Sequence, residues 1–204
     1  MFFVLEIIGT IAFAASGAFT GIVSKMDVFG VAILGMTTAV GGGIVRDLIL
    51  GINPPSAFMH PVYALTAIAV SIIVFLPMIR KLMEKHTMAY DMAMLIMDSI
   101  GLGIFTVIGA NAAFTAYEEA NLFLAVFVGV VTGVGGGVVR DIFAQRIPYI
   151  FVKHFYACAA IIGAVCYCLL RNVLSNELSM LAGCVIIIVL RLLAAKFRWK
   201  LPRA

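Results

Sequence analysis

Seven apolar segments, separated by short polar or Pro- and Gly-rich connections, make up most of this 204-residue chain. A helix that spans a membrane needs about 20 predominantly apolar residues, so each segment is predicted to be a transmembrane helix. The fold class predicted is an all-α membrane protein. The predicted spans are residues 3–23, 29–50, 62–79, 90–112, 122–144, 155–170 and 180–195.

The composition supports a membrane location for these helices. Hydrophobic residues make up 64% of the chain and charged residues only 12%, whereas a soluble domain carries about 25% charge. Too few polar groups are present to cover a water-exposed surface, so lipid is the expected surrounding. The net charge of +4 does not indicate nucleic-acid binding, because the excess basic residues lie next to the spans, where they favour membrane lipids.

Two apolar segments contain the same glycine-rich motif. Residues 41–47 read Gly-Gly-Gly-Ile-Val-Arg-Asp and residues 135–141 read Gly-Gly-Gly-Val-Val-Arg-Asp. A glycine inside a helix costs about 1 kcal/mol relative to alanine, and an intramembrane charge costs about 2.5–3.5 kcal/mol on insertion scales. Because the chain carries both unfavourable features twice, the glycines and the charged pair of the motif are predicted to have a function.

We therefore predict that the second and fifth spans are broken at the glycines. The freed carbonyl and N–H groups would line a wet cavity near the middle of the bilayer, where such backbone is tolerated. The alternative is that the glycines only permit close helix packing. Hydroxyls before each break either line a pore or bond back to their own helix. The candidate pathway residues are Gly41, Gly42, Gly43, Gly135, Gly136, Gly137, Thr37, Thr38 and Thr132.

The motif belongs to an internal repeat. Residues 5–9 align with residues 97–101, and the same register puts Phe13 on Phe105. Two positions further in the second copy, the two Arg-Asp pairs also correspond. Each repeat holds three spans, an odd number, so the second repeat must enter the membrane from the opposite side. The predicted units are residues 1–86, an inverted copy at 87–171, and an extra helix with a basic tail at 172–204.

The repeat predicts which charges share a depth in the membrane. Glu6 and Arg46 are expected at one level, and Asp98 and Arg140 at the other, so that each carboxylate pairs or nearly pairs with an arginine. Such pairs either shape an ion path and its gating or act as structural clamps. The neighbouring carboxylates, Asp47 and Asp141, are expected in the first turn of each half-helix, where a negative charge is favoured.

Basic residues predict the orientation of the chain. The side they enrich should be cytoplasmic, which places the N-terminus outside and the C-terminus inside. That side collects Lys25, Arg80, Lys81, Lys85, Arg146, Lys153, Arg191, Lys196, Arg198, Lys200 and Arg203, whereas the other has only Arg171.

Enzymatic motifs are not found in the sequence. Residues 133–138 are glycine-rich but lack the third glycine of a dinucleotide fingerprint and do not follow a strand. A phosphate-binding loop, a zinc-protease motif and a nucleophile elbow are also missing. The four cysteines lack metal-binding spacing and are interpreted as packing residues. We predict neither enzymatic activity nor a cofactor or resident metal.

The duplicated motif in spans two and five resembles that of the prokaryotic trimeric intracellular cation (TRIC) channels. It also resembles bacterial inner-membrane proteins that share the duplicated glycine-rich domain. The resemblance implies a homotrimer in which each protomer carries an hourglass pore for monovalent cations, potassium above all and also sodium. Relatives are associated with glycine transport, so a glycine facilitator is the first alternative, and a structural membrane scaffold is the second.

Overall fold

The computed structural model is helical and describes residues 2–80, 87–152 and 155–199. The expected unit boundary at residue 86 lies outside the described residues. So do five of the basic residues used to predict the orientation: Lys81, Lys85, Lys153, Lys200 and Arg203. The helices are α1 (Phe2–Val23), α2 (Val28–Ile49), α3 (Ser56–Met59), α4 (Val62–Phe75), α5 (Thr87–Ala116), α6 (Leu122–Phe143), α7 (Tyr149–Val152), α8 (Tyr156–Leu170) and α9 (Asn176–Lys196).

Within the described residues, five helices are long and apolar enough to cross a membrane: α1, α2, residues Tyr90–Ala116 of α5, α6 and α9. The apolar helices α4 and α8 coincide with the third and sixth predicted spans, but they have only 14 and 15 residues. At 1.5 Å per residue, α4 is about 21 Å long, shorter than the roughly 30 Å hydrocarbon core. Each is preceded by a single helical turn, α3 or α7.

The predicted breaks at the triglycines are wrong. Both α2 and α6 are continuous α-helices through residues 41–43 and 135–137. Two physical effects explain this outcome. An unbroken helix satisfies its backbone hydrogen bonds internally, which a membrane demands. The missing side chains also allow α2 and α6 to pack directly on one another, and this packing offsets the low helix propensity of glycine.

Corresponding positions of the two repeats have the same local roles. Asp27 caps the N-terminus of α2 by accepting a hydrogen bond from Gly30, and the equivalent Asn121 caps α6 by accepting one from Leu124. The helix contacts repeat as well, because α1 packs on α2 and α4 just as α5 packs on α6 and α8. Helix α9 stands outside this scheme and packs on α5 and α8.

Large apolar side chains are exposed on the outside of the helices. Phe29 is 71% exposed, and Phe123 is 76% exposed. Inside, small residues allow close approach: a Cβ at Gly17 would collide with the backbone of Gly35 on α2. Close contacts between small residues are typical of helix packing in lipid, and the exposed apolar surface fits the same surrounding.

Candidate functional site

The first Arg-Asp pair lies in the last turn of α2. Arg46 Nε donates a 2.7 Å hydrogen bond to Asp47 Oδ1, and the backbone N–H of Ser56 donates one of 2.7 Å to Asp47 Oδ2. Asp47 is fully buried. Its carboxylate therefore ties the end of α2 to the start of α3, and it positions the guanidinium beside it.

The second pair has the same geometry at the end of α6. Arg140 Nε donates to Asp141 Oδ1 over 2.8 Å, and the N–H of Tyr149 donates to Asp141 Oδ2 over 2.9 Å. The expectation that the aspartates begin half-helices is wrong, because α2 and α6 do not break there. The carboxylates instead face the first N–H of the short helices α3 and α7, and the arginines lie at helix C-termini, where a positive charge is favoured.

Glu6, Arg46, Asp47 and Tyr63 form the first charged site. They line a cavity of about 590 Å³ between the ends of α1, α2 and α5. A deeper extension of about 50 Å³ shares the same four residues and reaches Phe105. Two carboxylates and one guanidinium give this site a formal charge of −1, so it attracts cations.

Within the described residues, Glu6 and Arg46 do not form an ion pair within 4.0 Å. Glu6 instead accepts a short hydrogen bond from the Tyr63 hydroxyl, and Arg46 bonds to Asp47. Glu6 and Arg46 lie at the same depth, as predicted, since both line the same cavity. Their direct contact is absent because each side chain has taken another partner.

Asp98, Arg140, Asp141 and Tyr156 form the second charged site, which is buried. Arg140 Nη1 donates to Asp98 Oδ1 over 2.6 Å and to the Ser16 hydroxyl over 2.5 Å. The four residues are at most 2% exposed. The predicted contact of Asp98 with Arg140 is present, and two carboxylates hold the guanidinium from two sides.

Arg191 on α9 completes the surroundings of this site. Its Nη2 lies 3.7 Å from Asp98 Oδ2, and its guanidinium lies 4.6 Å from the centre of the Tyr156 ring. Sequence reasoning counted Arg191 among the basic residues of one membrane face, but only 5% of it is exposed. Its position inside the last apolar segment was the signal that could have identified it.

A second aromatic ring covers Arg140. The guanidinium lies 5.1 Å from the centre of the Tyr149 ring. Tyr149 belongs to the short helix α7, which precedes α8. Its ring interacts with the Arg140 cation through its π face.

The three glycines of each motif have different surroundings. A Cβ at Gly42 would collide with the Thr132 carbonyl, and one at Gly136 with the Thr38 carbonyl. These two glycines are thus the crossing point of α2 and α6. A Cβ at Gly43 would meet only Arg46 Nη2, 3.9 Å away, whereas one at Gly137 would lie 3.0 Å from the Tyr156 hydroxyl.

The remaining two glycines lie beside the crossing. A Cβ at Gly41 would be 3.4 Å from Val139, and one at Gly135 would be 3.1 Å from the Cα of Gly42. The middle glycines, Gly42 and Gly136, thus allow the two helix backbones to pack directly on each other, as the packing alternative predicts. The third glycine of each motif faces a charged site.

The three threonines bond back to their own helices. Thr38 donates to the Leu34 carbonyl, and Thr132 to that of Val128, both over 2.6 Å. Thr37 is half-buried and also bonds back, to Ile33 over 2.9 Å. Thr38 and Thr132 are fully buried, so in this conformation their hydroxyls do not line an open path.

A pair of stacked phenyl rings separates the two charged sites. Phe13 and Phe105, which are repeat equivalents, stack with centroids 5.3 Å apart. Along α1, Glu6 faces the first charged site and Ser16 contacts the second, with Phe13 between them. Phe13 is only 1% exposed. The rings close the centre of the molecule, and sequence reasoning used them only to set the repeat register.

Comparison with known sequences finds close relatives of this chain. A family model described as "Glycine transporter" matches residues 3–78 and 95–172. The UPF0126 inner membrane protein YadS of Escherichia coli K12 is 36% identical over 97% of this chain and 93% of its own length. The UPF0126 membrane protein YvgT of Bacillus subtilis is 35% identical over 97% of this chain and 94% of its own.

Solved structures of cation channels share the fold. A TRIC cation channel described for its conductance is 36% identical with a TM-score of 0.86, over 100% of this chain and 97% of that one. A prokaryotic TRIC channel in 0.5 M KCl is 32% identical with a TM-score of 0.88, over 98% of both chains. This chain therefore belongs to the bacterial membrane protein family of the glycine-transporter model and the UPF0126 proteins, which shares its fold with the prokaryotic TRIC channels.

Proposed function

We propose that this protein is a monovalent-cation channel, permeable to potassium and sodium, with one pore inside each protomer of a homotrimer. The observation that carries the proposal is the first charged site, an open cavity with a formal charge of −1 that narrows toward Phe105. A net negative cavity concentrates cations at its mouth. The likeness to solved TRIC cation channels over nearly the whole chain supports the same function.

The proposed path runs from the first charged site, past the Phe13–Phe105 stack, to the second charged site. This conformation is closed, because the rings are stacked and the second site is buried. Ion passage requires the rings to separate and Asp98 to release Arg140. The arginines and carboxylates of both sites then act as the gating charges.

The proposed topology has seven spans, in which α3 with α4 and α7 with α8 form the third and sixth. Residues 1–86 and 87–171 are the two inverted units, and residues 172–204 carry the extra helix and the basic tail. We place the N-terminus outside and the C-terminus in the cytoplasm, within a bacterial inner membrane. The name of the Escherichia coli relative supports that membrane.

A glycine facilitator is the second candidate, and two observations favour it. The matching family model is described as a glycine transporter. The deep extension of the first charged site, about 50 Å³, also offers a guanidinium and carboxylates to a small zwitterion. Such a solute would place its carboxylate on Arg46 and its ammonium group on Glu6.

Planar-bilayer recording of the purified protein tests the channel directly. Discrete potassium currents support the proposal. Saturable uptake of labelled glycine into liposomes without unitary currents would replace it with the facilitator. If neither signal appears with folded protein, the structural scaffold remains.

A further inference from the structure

The two charged sites are built from equivalent residues but are in opposite states. In the first, Glu6 and Arg46 line a cavity of about 590 Å³. In the second, the equivalent Asp98 and Arg140 are fully buried and in contact at 2.6 Å. Repeat symmetry implies that the second site can also form a cavity. A contact that the first site lacks must therefore hold it closed.

Several polar atoms of the closed second site lack hydrogen-bond partners among the described residues: Asp98 Oδ2, Arg140 Nη2, Tyr156 Oη and Arg191 Nε. All four side chains are more than nine-tenths buried. Buried polar groups normally find partners, because leaving them unpaired is unfavourable. The third glycine of the motif adjoins two of these atoms, since a Cβ at Gly137 would lie 3.0 Å from Tyr156 Oη and 3.6 Å from Arg140 Nη2, and the bonded Oδ1 of Asp98 lies 3.7 Å away. The hydroxyl and the guanidinium nitrogen beside Gly137 can therefore bind a polar solute or water once this point is accessible.

Arg191 is a charged contact of the second site that has no counterpart in the first. It comes from α9, which lies outside the repeat, and it faces Asp98 at 3.7 Å while stacking on Tyr156. It also changes the charge balance. Asp98 and Asp141 with Arg140 alone would carry a formal charge of −1, as the first site does, and Arg191 brings this to zero. A neutral, closed cluster does not attract a cation, whereas a site with charge −1 does.

We propose that the second charged site is a latent binding site for a monovalent cation and that Arg191 keeps it closed. When Arg191 moves away from Asp98, the freed carboxylate oxygen and the Tyr156 hydroxyl become cation ligands beside Gly137. This extends the proposed function, because the site lies on the proposed path. The test measures how accessible position 137 is to a reagent and does not measure current. A failure of this proposal can therefore be told apart from a failure of the channel proposal.

Thiol modification in detergent micelles, where reagents reach both faces of the protein, tests the proposal. The background replaces Cys158, Cys166, Cys168 and Cys184 with alanine, and single cysteines are placed by Gly43→Cys or Gly137→Cys. The probes are a cationic and an anionic methanethiosulfonate reagent of similar size. We expect rapid modification at position 43, faster with the cationic reagent, and protection at position 137.

Arg191→Gln should raise the modification rate at position 137 at least tenfold and make the cationic reagent the faster one. Arg191→Lys keeps the charge and should retain protection. Arg171→Gln is the matched control, since Arg171 also lies over an aromatic ring, Phe114 at 4.2 Å, but at the far end of α8. Equal rates at position 137 with and without Arg191, or a faster anionic reagent after Arg191→Gln, would overturn the proposal.

A cysteine at position 137 approaches the Tyr156 hydroxyl closely and can disturb folding. Hydrogen exchange of the wild-type chain and of Arg191→Gln, without any added cysteine, covers that case. Backbone amides of residues 137–142 should exchange at least tenfold faster in Arg191→Gln than in the wild type or in Arg171→Gln. Unchanged exchange in this segment contradicts the proposal. Currents without these changes would leave the channel intact and refute the role of Arg191.

Discussion

Arg140 donates a 2.6 Å hydrogen bond to Asp98, and neither side chain is exposed to solvent. The equivalent residues of the first repeat, Arg46 and Glu6, line a cavity and bind other partners. Equivalent pairs of charges are thus in contact and buried in the second repeat but line an open cavity in the first. This asymmetry between equivalent residues underlies the predictions below.

Asp98→Asn should strongly destabilise the fold. It removes one of the two carboxylates that compensate Arg140 and Arg191 in a buried site, and breaking such a buried pair typically costs about 3–5 kcal/mol. Thermal unfolding in detergent measures the loss. Glu6→Gln is the matched control at the equivalent position, and it should cost less than about 1 kcal/mol because the Glu6 site is wet. Equal losses would contradict the difference between the two sites.

Gly42→Ala should prevent stable folding, whereas Gly43→Ala should be tolerated. The added Cβ at position 42 collides with the backbone of α6 at Thr132, while at position 43 the nearest atom is 3.9 Å away. Alanine favours the helix by about 1 kcal/mol at either site, so only the collision separates the two variants. Yield and melting temperature are the measurements. A folded Gly42→Ala variant would show that α2 and α6 do not cross there.

Glu6→Gln should reduce cation entry through the first charged site. Removing one carboxylate takes the formal charge from −1 to zero, and at low salt the potassium current should fall roughly twofold or more. The difference should shrink at high salt, where the charge is screened. Asp27→Asn is the control, because asparagine preserves the helix cap and Asp27 lies at the opposite end of α2. A reduction that is independent of salt would argue against this electrostatic role.

Phe105→Ala should increase the potassium current. The ring ends the deep part of the first cavity and stacks on Phe13, so its removal opens the centre of the path. Phe123→Ala is the control, since Phe123 stacks on Phe127 at the exposed surface. Single-channel recording measures the open probability of each variant. If the Phe105→Ala protein folds and its current is unchanged, the Phe13–Phe105 stack does not close the ion path.

Much of this arrangement was predictable from the repeat. The register placed Asp98 at the level of Arg140, and the two are in contact. It also aligned Phe13 with Phe105, although only the structure shows them stacked. Residues aligned by an internal repeat are related by its symmetry axis, so sequence alone constrains their relative depth.

Other features depend on packing that sequence patterns do not show. Glycine propensity predicted broken helices, but contact between Gly42 and the backbone of α6 keeps both helices intact. The position of Arg191 beside Asp98 depends on how α9 docks, and this helix has no repeat partner. Glu6 and Arg46 lie at one level as expected, yet the Glu6 carboxylate accepts a hydrogen bond from Tyr63 and Arg46 bonds to Asp47. Each of these outcomes is set by tertiary contacts.

Single-channel recording in planar bilayers under a potassium chloride gradient tests the central claim most directly. Purified protein should give unitary currents whose reversal potential lies close to the potassium equilibrium potential, because the path enters through a cavity with a formal charge of −1. Folded protein that gives no unitary current, or a current that reverses near the chloride potential, would contradict the account.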